Sequence, residues 1–86
     1  MEYIFPDFKY IAVNPEICTG KPHIHGTRIT VTAILAYLAG GMSIETMLDE
    51  FPRLTREAIY QALAYAAQNM QDDQFIPLAK ASWNSI

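Results

Sequence analysis

Eighty-six residues, a formal net charge of −3, six lysines and arginines and a single cysteine, Cys18, bound what this chain can be. One domain is the expectation at this length; a disulfide within the chain is excluded, and a lone cysteine fits a reducing compartment. The acidic balance and scattered cations argue against strong non-specific nucleic-acid binding by a single copy, because phosphate contacts need a basic patch.

A domain of this size buries only about 60% of the surface its unfolded chain exposes. Self-association is therefore the first candidate for added stability, and a homodimer is expected. No run is long and apolar enough to span a membrane. Residues 1–10 lack the basic start and apolar centre of a signal peptide. A cytoplasmic location is expected.

Residues 1–9 form an aromatic-rich arm, with Tyr3, Ile4, Phe5 and Phe8 around Pro6. Such a segment is too apolar for a free tail and is expected to pack on something. Tyr10 to Val13 reads as a short strand ended by Asn14-Pro15. His25-Gly26 is placed to turn a hairpin with Ile24 facing Thr27 and Pro22 facing Ile29, although His suits the first turn position less well than Asn or Asp. In that register His23 and Arg28 lie opposite each other on the second face.

Thr30 is a fitting N-cap for a first helix, Val31 to Ala39, closed by Gly40-Gly41. Its stripe of Val31, Ile34, Leu35 and Leu38 is joined by Ala33, Ala36, Tyr37 and Ala39, which predicts a helix buried nearly all round, in the core or a subunit interface. Ser43 caps a second helix, Ile44 to Phe51, with Ile44, Met47, Leu48 and Phe51 at helical spacing, and Pro52 ends it. Thr55 caps a third, Arg56 to Met70. Leu54 and Ile59 stand at the positions of a hydrophobic staple, and Ile59, Ala62, Leu63, Ala66 and Met70 form the inward stripe. After the polar break 71–74, Ile76, Ala79, Trp83 and Ile86 fit a short amphipathic helix in the tail, 71–86.

The ordered set Asn14-Pro15-Glu16-Ile17-Cys18, Gly20-Lys21-Pro22, Gly26-Thr27-Arg28-Ile29, Val31, Gly41-Met42-Ser43, Phe51-Pro52-Arg53-Leu54-Thr55 and Ala62-Leu63-Ala64-Tyr65-Ala66 resembles family 433 of the domains of unknown function over residues 10–70. The resemblance implies a mainly α fold: a three-helix, homeodomain-like helix-turn-helix bundle preceded by a short β-strand or hairpin element. It also implies an antitoxin of a type II toxin–antitoxin pair, directed against a PIN-like ribonuclease toxin.

Helices two and three have the proportions of a helix-turn-helix, so Arg53, Arg56, Tyr60 and Gln61 are the candidate contacts to operator DNA. Arg reads guanine and Gln reads adenine through paired hydrogen bonds, and arginines hold phosphates. Asp49, Glu50 and Glu57 flank that face and repel phosphate, and two short helices also close small cores without touching DNA. Arg28, held on the hairpin, suits a partner's carboxylate or phosphate in bidentate fashion. It equally suits Asp49 or Glu50, acids at the unfavourable C-terminal end of a helix. Phe75, Ile76 and Trp83 are candidate partner contacts as apolar anchors, or else fold back on their own core.

His23 and His25 do not make a zinc site without further ligands and are expected to be solvent-exposed or hydrogen-bonded. Cys18 has no sign of an activating partner, Ser43 and Thr55 are helix caps, and no phosphate loop is present. No cofactor, metal or catalytic residue is expected. The resemblance thus implies a non-enzymatic antitoxin that binds a PIN-like toxin, with operator DNA as a second candidate ligand. A DNA-binding regulator without a toxin and a structural dimeric interaction module are the alternatives.

Overall fold

The computed structural model describes residues 1–70. The expected helix in the tail, and Phe75, Ile76 and Trp83, lie outside the described residues. In chain order the elements are β1 (Tyr3–Phe5), β2 (Phe8–Val13), a 3-10 turn at Cys18–Gly20, β3 (His23–Ile24), α1 (Val31–Ala39), α2 (Ile44–Glu50) and α3 (Arg56–Asn69).

The expectation of a mainly helical, homeodomain-like bundle is corrected. The strands form a three-stranded antiparallel sheet in the order β1-β2-β3, and sheet and helices share one core, a small α+β arrangement. The arm at 1–9 supplies the missing β structure. Pro6-Asp7 turns the chain between β1 and β2, pairing Phe5 with Phe8 and Ile4 with Ala12 across an irregular register. On the other side of β2, Ile11 pairs with Ile24 and Ala12 with His23. Ile11 and Ala12 are fully buried, and the core continues through Ile24, Val31, Ile34, Met47, Leu54, Ala58, Ile59 and Ala62.

The helices form where local signals place them. The Thr30 hydroxyl accepts from Ala33 N at 3.0 Å, Ser43 from Thr46 N at 3.0 Å and Thr55 from Ala58 N at 3.1 Å, each satisfying an N–H that the first helical turn leaves free. Gly41, at φ +101, ends α1. Its N–H bonds Leu38 O, and Met42 N–H reaches back to Tyr37 O, both at 3.0 Å, the paired closure that a left-handed residue permits. Leu54 and Ile59, the staple pair, both join the core. The helix ends differ slightly from expectation: Phe51 and Met70 are terminal caps, not helical residues.

Two faces depart from the sequence pattern. Only one side of α1 is covered, and Ala36, Tyr37 and Ala39 are exposed; Tyr37 leans on Phe51 with ring centroids 5.4 Å apart. On α3, Met70 is 71% exposed while Ala58 takes a core position. Tyr65 turns towards the sheet, meeting Phe5 at 5.2 Å and Phe8 at 5.5 Å. The shift on α3 follows from the sheet, which packs on this helix and meets Tyr65 through Phe5 and Phe8.

Ile59 is fully buried at the meeting of sheet and helices. Ile59→Ala is expected to destabilise the fold by about 2–5 kcal/mol, through lost burial and the cavity left behind. Gly26 stands at φ +83 with open space where a Cβ would lie. Gly26→Ala is therefore expected to cost only backbone strain, about 1–2 kcal/mol. Urea unfolding midpoints check both.

Candidate functional site

The segment after β3 turns on His25-Gly26. Thr27 N–H bonds Ile24 O at 3.0 Å, and only Gly26 of the central pair has positive φ. That matches a type II turn, in which just the second central residue must be left-handed, and it removes the objection to His at the first. Ile24 N–H then bonds Ile29 O at 2.9 Å and His23 bridges Thr30. The hairpin therefore closes two residues later than a two-residue loop requires. The expected pairs Ile24–Thr27 and Pro22–Ile29 are corrected to Ile24–Ile29 and His23–Thr30.

Thr27 makes the wider loop stable: its hydroxyl donates to Ile24 O at 2.8 Å and accepts from Ile29 N at 3.0 Å. Cys18 and Thr19 are left-handed at φ 54 and 53, which places the Cys18 thiol against Arg28 O at 3.3 Å. Arg28 thus has a fixed backbone and an exposed side chain.

The connection from α2 to α3 faces this turn. Pro52 follows the capping residue Phe51, and Leu54 N–H bonds Phe51 O at 2.9 Å, so Arg53 sits on the outside of a tight bend while Leu54 enters the core. Between the 25–29 turn and the 50–53 segment lies a groove of about 620 Å³, a size typical of ligand and peptide sites. Ile17, Ile29, Phe51 and Pro52 supply apolar wall, and Arg28 and Arg53 supply guanidiniums.

Glu2 closes one end of the groove. Asn14 Nδ2 donates to its Oε1 at 3.2 Å, and its other oxygen meets His25 Nδ1. The Asn14 bond first, then the His25 contact, hold the Glu2 carboxyl below its usual value of 4.5. Arg56 pairs with Glu45 at 3.3 Å. The Tyr60 oxygen, then Glu45, hold Arg56 more firmly in its charged form. Arg28 and Arg53 make no ion pair among the described residues. Glu50 lines the groove with them but stays outside ion-pair distance, so Arg28 does not neutralise the end of α2.

The four residues considered for DNA do not form one surface. Arg53 belongs to the groove with Arg28. Arg56 and Tyr60 are exposed on α3, Arg56 already engaged by Glu45. Gln61 faces the sheet, its Oε1 accepting from Tyr10 N at 3.1 Å. Pairing bidentately with adenine would require it to give up that bond. His23 is fully buried, and its Nδ1 lies 3.1 Å from Lys21 O, an acceptor only, so Nδ1 carries the proton. Among the described residues no three His, Cys, Asp or Glu side chains gather as a metal site, and no helix is long and apolar enough to cross a membrane.

Sequence reasoning missed Glu2, His25, Ile17 and Phe51 as groove residues. Their convergence depends on contacts far apart in sequence, such as that of Glu2 with His25, 23 residues on, and only the Gly26-Thr27-Arg28 turn gave a local signal.

Gln61→Ala is expected to destabilise the domain by about 1–3 kcal/mol, because it strands a partly buried N–H of β2; denaturant titration measures it. Glu2 has a depressed folded pKa, so its contribution is present above about 4.5 and disappears as pH falls through the folded value. Glu2→Gln keeps an oxygen for Asn14 but no charge for His25. It is expected to lower the melting temperature at neutral pH, the gap to the parent closing as the medium is acidified below that range.

Residues 11–66 match the family described as protein of unknown function, DUF433. An uncharacterized protein, y4eO, of Sinorhizobium fredii strain NGR234 is 39% identical over 59 residues, covering 69% of this chain and 27% of its own length. The crystal structure of a DUF433 member from Anabaena variabilis superposes with a TM-score of 0.67 at 35% identity, over 70% of this chain and 59% of that one. The chain thus spans about a quarter of y4eO and under two thirds of the Anabaena protein. With more than half of its residues matched, the chain belongs to the DUF433 family.

Proposed function

We propose that this chain is a non-catalytic docking module of the antitoxin kind, whose groove between the 25–29 turn and the α2–α3 connection engages a PIN-like ribonuclease. One observation carries the reading: Arg28 and Arg53, 25 residues apart in sequence, line a single apolar-walled groove without an ion pair among the described residues. Uncompensated guanidiniums beside apolar wall suit a protein surface bearing carboxylates, where planar, bidentate pairing is strong. Metal-dependent nucleases hold their ions on carboxylates, so a partner of this class offers the complementary charge. The groove residues would supply binding, and the RNA chemistry would remain with the partner.

Contact with operator DNA is the second reading. The exposed Arg53, Arg56 and Tyr60 at the start of α3 favour it. Glu45 on Arg56, the tether on Gln61 and the net charge of −3 weigh against it for a single copy.

The test is co-purification of the chain with the product of the adjacent gene, followed by an RNA-cleavage assay of that product. Capture of a nuclease with suppressed cleavage is the expected result. Combined Arg28→Ala and Arg53→Ala is expected to weaken capture by about tenfold or more, the scale of losing interfacial charge pairs, without loss of fold by circular dichroism. Capture unaffected by both substitutions removes the groove from the reading. Salt-dependent DNA binding that is lost with Arg53→Ala and Arg56→Ala, in the absence of nuclease capture, favours the second reading.

A further inference from the structure

We infer that a second concavity, between strand β2 and the start of α3, binds a phosphoryl group through Lys9 and Arg53. It is distinct from the groove assigned to a protein partner, and the inference does not depend on that reading. Arg53 lines both hollows, whereas Lys9 lines only the second.

Hydrogen bonds fix the frame of this concavity. His25 N–H donates to Tyr10 O at 2.8 Å, joining the turn after β3 to β2. Tyr10 N–H donates to Gln61 Oε1 at 3.1 Å, joining β2 to α3. Beside these joints lies a hollow of about 430 Å³. Ile24 and Ala58, both buried, give it apolar wall, and a low-dielectric wall strengthens the field of charges set along it.

Two cations from separate elements converge there, Lys9 from β2 and Arg53 from the bend before α3. Neither makes an ion pair among the described residues. The Lys9 ammonium lies 5.8 Å from the centroid of the Tyr10 ring, which lines the same hollow. Among the described residues no acid lines it. The neighbouring acids are placed elsewhere: Glu50 lines the other groove, Glu57 is exposed in the first turn of α3, and Glu2 is held by Asn14 and His25. His25 reaches the hollow, but its Nδ1 is committed to Glu2, so it is not counted as a cation here. The Thr55 hydroxyl accepts from Ala58 N at 3.1 Å, which leaves its own proton to donate into the hollow.

The pairing of one fork with one point charge selects the ligand. A carboxylate has two oxygens, and a single guanidinium satisfies both. A phosphoryl group carries more charge and three acceptor oxygens, so it can meet the Arg53 fork and the Lys9 ammonium at once.

The test is a titration of inorganic phosphate into the full chain, followed by amide NMR, with sodium chloride as the control at equal ionic strength because salt screens surface charge. Saturable shifts at Lys9, Tyr10 and residues 53–57 in phosphate alone are the expected result. Lys9→Ala and Arg53→Ala are each expected to weaken binding by about threefold or more, and together by about tenfold. Lys21→Ala makes the same charge change at an exposed lysine outside the hollow and is expected to leave binding unchanged. Shifts that do not saturate or that chloride reproduces, binding by Lys9→Ala as tight as the parent's, or an equal loss with Lys21→Ala would overturn the inference. A short DNA duplex then separates the two sources of the group. Duplex binding that phosphate displaces and Lys9→Ala weakens assigns the site to a nucleic-acid backbone. Phosphate binding with no duplex binding, or with duplex binding indifferent to Lys9→Ala, assigns it to free phosphate or a small phosphate ester.

Discussion

Strand β2 is the constraint on which the fold depends. It is paired on one edge by β1 and on the other by β3, and its central residues Ile11 and Ala12 are inaccessible to solvent. A strand buried in this way needs cover over its inner face, and α3 provides it with Ala58, Ile59 and Ala62. The small side chains at 58 and 62 let helix and sheet approach closely, while Ile59 is fully buried in the same core cluster. Where the ladder of β2 leaves Tyr10 N–H unpaired, Gln61 accepts from it, so the same helix answers both the apolar and the polar demands of the strand.

The groove is a consequence of that packing. With β3 fixed beside β2 and α3 laid across the sheet, the turn after β3 and the bend before α3 must come near each other. Neither segment is helical or paired along its length, so both carry their own supports. Thr27 and the Cys18 thiol hold the first; Phe51 O and the Thr55 cap hold the second. The side chains projecting from such backed loops are free of core duty, which is where binding groups are commonly presented.

Charge is distributed unevenly among the three arginines. Arg56 faces Glu45, and the Glu2 carboxylate is held by Asn14 and His25. Arg28 and Arg53 make no ion pair among the described residues, and both line the groove between the 25–29 turn and the α2–α3 connection. That placement, in a −3 chain, is the ground for the proposed docking to carboxylates on a protein in preference to the extended phosphate array of DNA.

The helical part of this molecule was legible in its sequence. Thr30, Ser43 and Thr55 cap where they were expected to, Gly41 ends α1, and Pro52 follows the end of α2, because caps and breakers act through hydrogen bonds and torsions a few residues away. The sheet was not legible. The partners of β1 and β3 are chosen by burial against α3, and a short aromatic segment such as Tyr3–Phe5 carries no local mark of the strand it will join. That sheet in turn decided that His23 is core while His25 is rim, that Tyr65 and not Met70 packs inward, and that Gln61 serves β2. The sequence named Arg28 and Arg53 separately and for different tasks. Only the tertiary structure set them in one groove, because their proximity depends on strand pairing and helix packing that no local torsion or spacing encodes.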